Sequence, residues 1–196
     1  MIQATFLPPV YLLDSSSPIH LEDLNRILPG QPPATPAFTA REREPIWEGL
    51  ERLANDGRLV LIKQVVEELS DPAFIPVLDR LRSFRGYRVL KHTNDLRRRY
   101  RDLMRRHPDL ARAIARYDPT RDPADPWLVV NAHKHGLTIV TEELRRTVRA
   151  GRPRRGPPIP DICDKEGIRC ISLRHLANDE GWLSNARPSG TTPQRC

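Results

Sequence analysis

Acidic residues follow two strongly apolar stretches of the chain, at the point where each stretch ends. Val10–Leu13 runs directly into Asp14, and Leu137–Thr141 is followed by Glu142 and Glu143. Apolar runs of this length, without helical spacing, predict strands that are buried on both faces. In an open α/β sheet, ligands bind just beyond the carboxyl ends of the strands. The two acidic positions are therefore expected to share one edge of a sheet.

Two further acids belong to helices that adjoin predicted strands. Asp125 lies in the first turn of a helix predicted for residues 125–135, and Glu68 lies on a helix predicted for residues 63–69, after the apolar strand 58–62. Carboxylate oxygens are the ligands that hard cations such as Mg²⁺ prefer. Acids from separate segments that meet at one edge would form a magnesium-type site. The alternative is that each acid caps a helix or lies on a solvated face, as Asp14 could before the next helix.

Composition limits the class of protein. The chain has 196 residues, which suits one domain, and a formal charge of +7, which indicates an anionic partner such as nucleic acid. Three cysteines without zinc-ligand spacing are typical of reduced thiols. No apolar run is long enough to span a membrane, and the start of the sequence does not have the pattern of a signal peptide. We therefore expect a cytoplasmic protein without membrane contact.

Strands and helices alternate along the chain, and this order predicts the fold class. Beyond the strands already named, β-prone segments are predicted at 87–90 and 169–173, and helices at 19–28, 41–55, 72–84, 94–106 and 108–117. A short helix is predicted to open at Pro160-Asp161, and a separate terminal helix follows the last strand and runs to about residue 182. This alternation indicates an α/β fold with a central, mostly parallel sheet flanked by helices. The predicted domain covers residues 9–182, with a short extension at 1–8 and a disordered tail at 185–196.

Four acidic segments in this order resemble the motifs of PIN-domain ribonucleases, the VapC-like toxin superfamily. The segments are Tyr11-Leu12-Leu13-Asp14-Ser15-Ser16, Val65-Val66-Glu67-Glu68-Leu69, Asp125-Pro126-Trp127-Leu128-Val129 and Ile139-Val140-Thr141-Glu142-Glu143. More narrowly, the chain is similar to a subfamily known mainly as a domain of unknown function. That likeness also rests on Ile159-Pro160-Asp161-Ile162-Cys163 and Gly167-Ile168-Arg169-Cys170-Ile171. The resemblance covers residues 9–182 and implies a single PIN-like domain.

The resemblance implies a metal-dependent endoribonuclease. One or two Mg²⁺ or Mn²⁺ ions would be held by Asp14, Glu68, Asp125 and Glu143, and Ser16 stands where the family often has a polar residue that orients water. Glu68 is preferred to Glu67 because it precedes the leucine, and Glu143 is preferred to Glu142 because it stands second after the threonine.

The sequence departs from the usual motifs at two positions, and Asp161 and two histidines lie near the predicted site residues. Serines follow Asp14 where many relatives have Thr-Asn, and the last acid is glutamate where many have aspartate, so Glu143 could bind a metal through water. Asp161 could also approach the site, but we interpret it as a helix cap. His133 and His135 lie at a helix end, where they favour the helix dipole, and we interpret them as structural.

Arginines form two groups whose roles differ. Those between positions 97 and 106 are interpreted as a solvated helix face. The second group follows the acidic strand end directly, where a phosphate backbone would be gripped, and is expected to bind RNA; it comprises Arg145, Arg146, Arg149, Arg152, Arg154 and Arg155.

The leading hypothesis is a ribonuclease that acts as the toxin of a type II toxin–antitoxin pair. Its expected partners are RNA and a co-encoded antitoxin protein, and the resemblance also allows a homodimer. One alternative is a non-catalytic nucleic-acid-binding or antitoxin-partner protein with the same fold. Another is a magnesium-dependent phosphatase, but the sequence has neither a nucleophilic Asp-x-Asp motif nor a phosphate-binding glycine loop.

Overall fold

Five parallel strands form one sheet with helices on both sides, in the order β3-β2-β1-β4-β5. This architecture is seen in a computed structural model, which describes residues 8–22, 38–116, 123–145 and 157–183. The α/β class and the parallel central sheet confirm the fold predicted from the alternation of elements.

The strands are short, and they coincide with the apolar runs of the sequence. They are β1 (Tyr11–Leu13), β2 (Leu59–Ile62), β3 (Val89–Leu90), β4 (Thr138–Val140) and β5 (Cys170–Ile171). The helices are α1 (Ser16–Leu21), α2 (Ala40–Asn55), α3 (Lys63–Glu68), α4 (Ile75–Ser83), α5 (Asn94–Arg106), α6 (Pro108–Arg116), α7 (Ala124–His135), α8 (Ile159–Glu166) and α9 (Leu173–Asp179).

The chain reverses its direction across the sheet after β3, and this reversal creates a crevice. The first two crossovers move from β1 outward to β3, whereas the chain then returns to place β4 on the other side of β1. Because parallel crossovers are right-handed, the reversal puts the two groups of helices on opposite faces. The carboxyl ends of β1 and β4 meet at the point of reversal, where ligands bind in folds of this kind.

Helix α2 packs with α4 and α9 on one face of the sheet. Trp47 of α2 meets Phe84, just beyond α4, edge to face, with ring centroids 6.1 Å apart. The Trp182 ring lies so close to Gly49 that a Cβ there would come within 2.2 Å of it. The other face is covered by α7, which contacts β2 and β4 and is flanked by α5 and α8.

Helix α7 places Asp125, which lies in its first turn, at the crevice. Its residues from Ala124 to Ala132 are buried, apart from Asp125, so the helix is apolar on all sides, as expected for one enclosed by neighbours. Gly136 ends it in the left-handed conformation, with a φ of 64°, which glycine adopts without steric cost. The chain can then turn at once into β4, whose three residues are buried.

The predicted elements all occur in the structure, with most boundaries shifted by one to three residues, but the first helix ends at Leu21 rather than at the predicted residue 28. The helix predicted for 72–84 begins as a 3-10 turn at Pro72–Phe74, because the Asp71 carboxylate accepts a hydrogen bond from the Ala73 N–H. The first helix begins at Ser16, earlier than the predicted residue 19, since Asp14 and Ser15 already start to turn. Cys163 and Cys170 are free thiols, as expected.

Several predictions concern residues that the structure does not describe. The tail at 185–196 and the extension, apart from Pro8, are among them. Within the described ranges, no helix combines the length and the apolar character needed to cross a membrane.

Candidate active site

Asp14 is placed at the centre of the crevice by β1. Its backbone N–H donates to the Val140 carbonyl at 3.0 Å, which fixes the end of β1 beside the end of β4. Its side chain is only 4% exposed. The Oδ2 atom accepts hydrogen bonds from Ser16 Oγ at 2.6 Å and from Thr141 Oγ1 at 2.7 Å. Among the described residues, the other carboxylate oxygen accepts no side-chain hydrogen bond, so it remains available to a ligand.

Glu68, the last residue of α3, is turned toward the same edge. Ser15 Oγ donates to Glu68 Oε2 at 2.6 Å, and the Ala124 N–H lies 3.4 Å from Oε1. These contacts tie α3 to the start of α1 and to the start of α7. The pKa of Glu68 is raised by burial, with further increases from the negative charges of Asp14 and Glu143.

Asp125 is the most strongly perturbed acid of the site. Its pKa is raised well above the ordinary value, first because the carboxyl is buried and then because Glu143, Asp14 and Glu68 are close enough to repel its negative charge. A buried carboxyl among three others is stable as a charged group only when a cation compensates it. The four acids named from the sequence therefore form one electrostatic cluster.

Glu142 and Glu143 point to opposite sides of the chain that leaves β4. The Ile159 N–H at the start of α8 donates to Glu143 Oε2 at 2.7 Å, and the Leu173 N–H at the start of α9 donates to Glu142 Oε1 at 2.7 Å. Side chains alternate in an extended segment, so Glu143 lies on the side of Thr141 and Asp14. Glu143, rather than Glu142, lines the pocket with Glu68 and Asp125.

The pocket above these acids has one charged side and one apolar side. Its volume is about 400 Å³. Three carboxylates, Glu68, Asp125 and Glu143, line it, and the apolar side consists of Leu110, Ala113, Ile114, Pro123, Leu144, Pro157 and Pro158. Leu144 is 85% exposed, so the rim presents an aliphatic side chain to solvent beside the negative charges.

The donor set fits a hard divalent cation in its chemistry. All four acids offer oxygen ligands, and Mg²⁺ or Mn²⁺ commonly binds through one or two carboxylates and keeps several waters. Within the described residues, however, no three carboxylate, histidine or cysteine side chains converge closely enough to surround one ion directly. In this arrangement Ser15, Ser16, Thr141 and the Ile159 N–H hold oxygens of Glu68, Asp14 and Glu143.

Two hydroxyl residues at this edge were given no role from the sequence. Thr141 is buried and contacts Asp14, and Ser15 holds Glu68. The signal that could have identified them is their position, since each stands directly beside an acid at the end of an apolar run. Ser16, which was predicted as a polar helper, contacts Asp14 and also accepts from the Glu142 N–H at 3.0 Å.

The predicted RNA-binding arginines fall almost entirely outside the described residues. Arg145 is described, and its guanidinium pairs with Asp164 through two contacts of 3.0 Å. The others lie in undescribed segments and remain predictions: Arg146, Arg149, Arg152, Arg154 and Arg155. Asp161 is not the helix cap that we expected, because Pro158 caps α8 and Asp161 lies in its first turn.

The fold and the site together define an α/β protein with a carboxylate-lined pocket at the reversal point of a parallel sheet. The chain belongs to a family described as a domain of unknown function, DUF4411, whose model matches residues 38–183. This range contains Glu68, Asp125 and Glu143 and begins after β1, so Asp14 precedes it. A search of curated proteins finds no match to the chain.

Replacing Asp125 with asparagine is expected to stabilise the metal-free protein at neutral pH. Because the folded state binds the Asp125 proton more tightly than the unfolded chain, the free energy of unfolding falls as the pH rises above the ordinary carboxyl pKa of 3.8. The asparagine variant has no proton to lose at this position, so its free energy of unfolding does not fall in this way. The melting temperature in EDTA at pH 7 should therefore rise, by roughly 2–4 °C for each kcal/mol of relieved repulsion.

The gain should vanish near pH 3.5, where both folded and unfolded wild-type chains hold the proton. Asp79→Asn, at an exposed carboxylate of α4, serves as the control and should leave the melting temperature nearly unchanged at each pH. If the melting temperatures of Asp125→Asn and wild type differ by the same amount at every pH, the result would contradict the electrostatic cluster.

Proposed function

We propose that this protein is a metal-dependent endoribonuclease that hydrolyses RNA phosphodiester bonds. The observation that supports the proposal most strongly is the cluster of four mutually repelling carboxylates at the reversal point of the sheet. Such a cluster faces a polyanion unfavourably unless a cation is bound. The net charge of +7 nevertheless suits a polyanionic substrate. A cluster of acids in such a basic protein is therefore best explained by a function at that one site.

Asp14, Glu68, Asp125 and Glu143 are the residues that would hold Mg²⁺ or Mn²⁺. When bound, such an ion lowers the pKa of a water and stabilises negative charge on a leaving oxygen. The residues of the chain orient the ligands: Ser16 and Thr141 hold one oxygen of Asp14, and Ser15 holds one oxygen of Glu68. Aliphatic side chains line the pocket beside the carboxylates Glu68, Asp125 and Glu143.

A nucleic-acid-binding protein without catalytic activity is the alternative from another class. The same fold and charge would serve it, and the resemblance to PIN domains does not by itself exclude it. The buried acids favour the enzyme, because a binding surface gains nothing from carboxylates that repel the phosphate backbone and oppose their own burial.

The partner that we propose is a co-encoded antitoxin protein, which would make this chain the toxin of a pair. Clustered carboxylates attract a lysine or arginine side chain, which would compete with metal and block the substrate. The aliphatic side of the pocket, with Leu144 at its rim, suits the apolar side chains that would flank such a cation. We place this activity in the cytoplasm, where RNA and reduced thiols occur together.

Asp14→Asn should abolish RNA cleavage, because the substitution removes the charge of the most central acid and keeps its shape. Cleavage of a labelled RNA with Mg²⁺ or Mn²⁺ should fall by at least about 100-fold, as expected for loss of an electrostatic contact to the reacting groups. Glu143→Gln should also reduce cleavage.

Glu142→Gln is the matched control, because its amide oxygen can still accept from the Leu173 N–H and it lies away from the pocket. It should cleave as wild type does. A thermal-shift titration separates binding from catalysis: Mn²⁺ should raise the melting temperature of wild type and of Glu142→Gln but not of Asp14→Asn. Full cleavage by Asp14→Asn would refute the proposed site.

Expression of the chain alone is expected to slow bacterial growth, and Asp14→Asn should relieve the effect. Co-expression with the neighbouring gene product should relieve it too, because that protein would occupy the carboxylate pocket. Growth rate and total RNA integrity are the measurements. Harmless expression of an enzyme that cleaves RNA in vitro would reject the toxin role, whereas harmless and inactive protein would favour the binding protein.

A further inference from the structure

The outer face of α5 carries exposed arginines that differ in their surroundings from the other cations of the helix. Leu96 and Leu103 are buried, and α5 packs against α7, so the inner face of the helix is fixed. Arg97, Arg98 and Arg101 are exposed. Their spacing of three and four residues places them together on the opposite face, which we call the α5 arginine face.

The acids near this face are already paired with other cations. Asp95 contacts Arg99 and Lys134, each at 3.1 Å. Asp102 contacts Arg105 at 2.9 Å. In the part of the chain that the structure describes, none of the three residues of the α5 arginine face has a carboxylate partner.

Further along, the end of α5 is neutralised in a different way. Glu166 of α8 accepts from Arg106 at 2.7 Å and lies 2.6 Å from the Nε2 atom of the buried His107. This cluster fixes the end of α5 to α8. The arginines of the outer face take no part in it, so they are not needed to hold the helix in place.

Like charges at this helical spacing oppose one another, and the repulsion is relieved by an external anion. Guanidinium groups bind phosphate through paired N–H donors, with a geometry that a repeated phosphate backbone can satisfy several times along one helix. The α5 arginine face is therefore complementary in charge to a nucleic-acid strand.

The carboxyl end of α5 lies near the carboxylate pocket. His107 separates α5 from α6, and Leu110, Ala113 and Ile114 of α6 line the pocket beside Asp125 and Glu143. Pro157 lines both this pocket and the neighbouring groove that contains Arg106 and His107. A strand that left the pocket past α6 would meet this groove, which also contains Asp109, Asp161 and Asp164, before it reached the arginines of α5.

We propose that the α5 arginine face binds the phosphate backbone of the RNA on one side of the bond that is cleaved. This inference rests on the proposed function, which supplies RNA as the substrate. It assigns Arg97, Arg98 and Arg101 to substrate binding, whereas the sequence alone indicates a solvated face for the arginines of this helix. The positive charge of the face, together with the proposed substrate, favours RNA over an acidic protein as the occupant.

Fluorescence anisotropy with a labelled single-stranded RNA tests the proposal, in EDTA so that no metal-dependent cleavage occurs. The full chain is compared with the triple variant Arg97→Gln, Arg98→Gln, Arg101→Gln. Each phosphate contact on a single strand contributes about 0.7 to the slope of log K against log salt, so the slope should fall by about 2. Extrapolated from 1 M salt, that slope corresponds to about 100-fold weaker binding at 0.1 M.

A second triple variant, Arg41→Gln, Arg52→Gln, Arg82→Gln, removes the same charge from α2 and α4 on the other side of the sheet. It should weaken binding far less. Both triples should keep the wild-type melting temperature, because all six side chains are exposed.

Equal effects of the two triples would overturn the proposal, because net charge alone would then explain binding. Unchanged RNA binding by the α5 triple would overturn it as well and would favour solvent or an acidic protein as the neighbour of this face. Failure of the full chain to bind RNA would overturn it too. RNA that binds through α5 but is never cleaved with metal would instead reject the ribonuclease and leave this inference standing.

Discussion

Mutual repulsion among four carboxylates, of which Asp14 is buried and the other three are partly buried, is the constraint on which the rest of this structure depends. Asp125 is the clearest case, because its pKa is raised by burial and by three neighbouring acids. A fold that only needed stability would place apolar side chains here, since burying charge without a partner is costly. The hydrophobic core offsets the destabilising repulsion among the acids. This core includes the buried residues of helix α7 and of the central strands β1 and β4.

Hydrogen-bond donors around the acids determine how each carboxylate is presented. Hydroxyls of Ser15, Ser16 and Thr141 hold one oxygen each of Glu68 and Asp14, and the first N–H of α8 holds Glu143. The Ser15 hydrogen bond lowers the pKa of Glu68, but burial raises it by more, so that the pKa stays above its ordinary value. The site is thus fixed in position but remains negative, and this is the combination that a hard cation requires.

Charge is distributed unevenly over the molecule. Glu68, Asp125 and Glu143 line one pocket, with Asp14 beside them, while the chain as a whole has a formal charge of +7 and α5 presents exposed arginines. Long-range attraction can therefore bring a polyanion to the surface, but the pocket itself opposes phosphate until a cation is bound. Within the described fold, membership of the DUF4411 family adds no chemistry. The four acids, and the resemblance of their motifs to those of PIN-domain ribonucleases, are what support the proposed nuclease.

The sequence by itself determined the class of fold and the edge at which the acids meet. Apolar runs without helical spacing define β1, β2 and β4, and an acid placed directly after β1 or β4 can only lie at the carboxyl end of the sheet. Helix α5 was predicted with the same bounds, Asn94 to Arg106, that the structure shows, because its polar and apolar residues alternate with a clear helical period.

Tertiary structure alone decided which side chains meet within that edge. Glu142 and Glu143 are adjacent in sequence, yet one reaches the start of α9 and the other the start of α8, and both helices come later in the chain. The contacts of Thr141 with Asp14, and of Ser15 with Glu68, join residues far apart in sequence. Local periodicity carries no information about such pairs, because their distances depend on how the crossovers stack the elements. For the same reason, only the fold separates the arginines of α5 that pair with acids from those that face solvent.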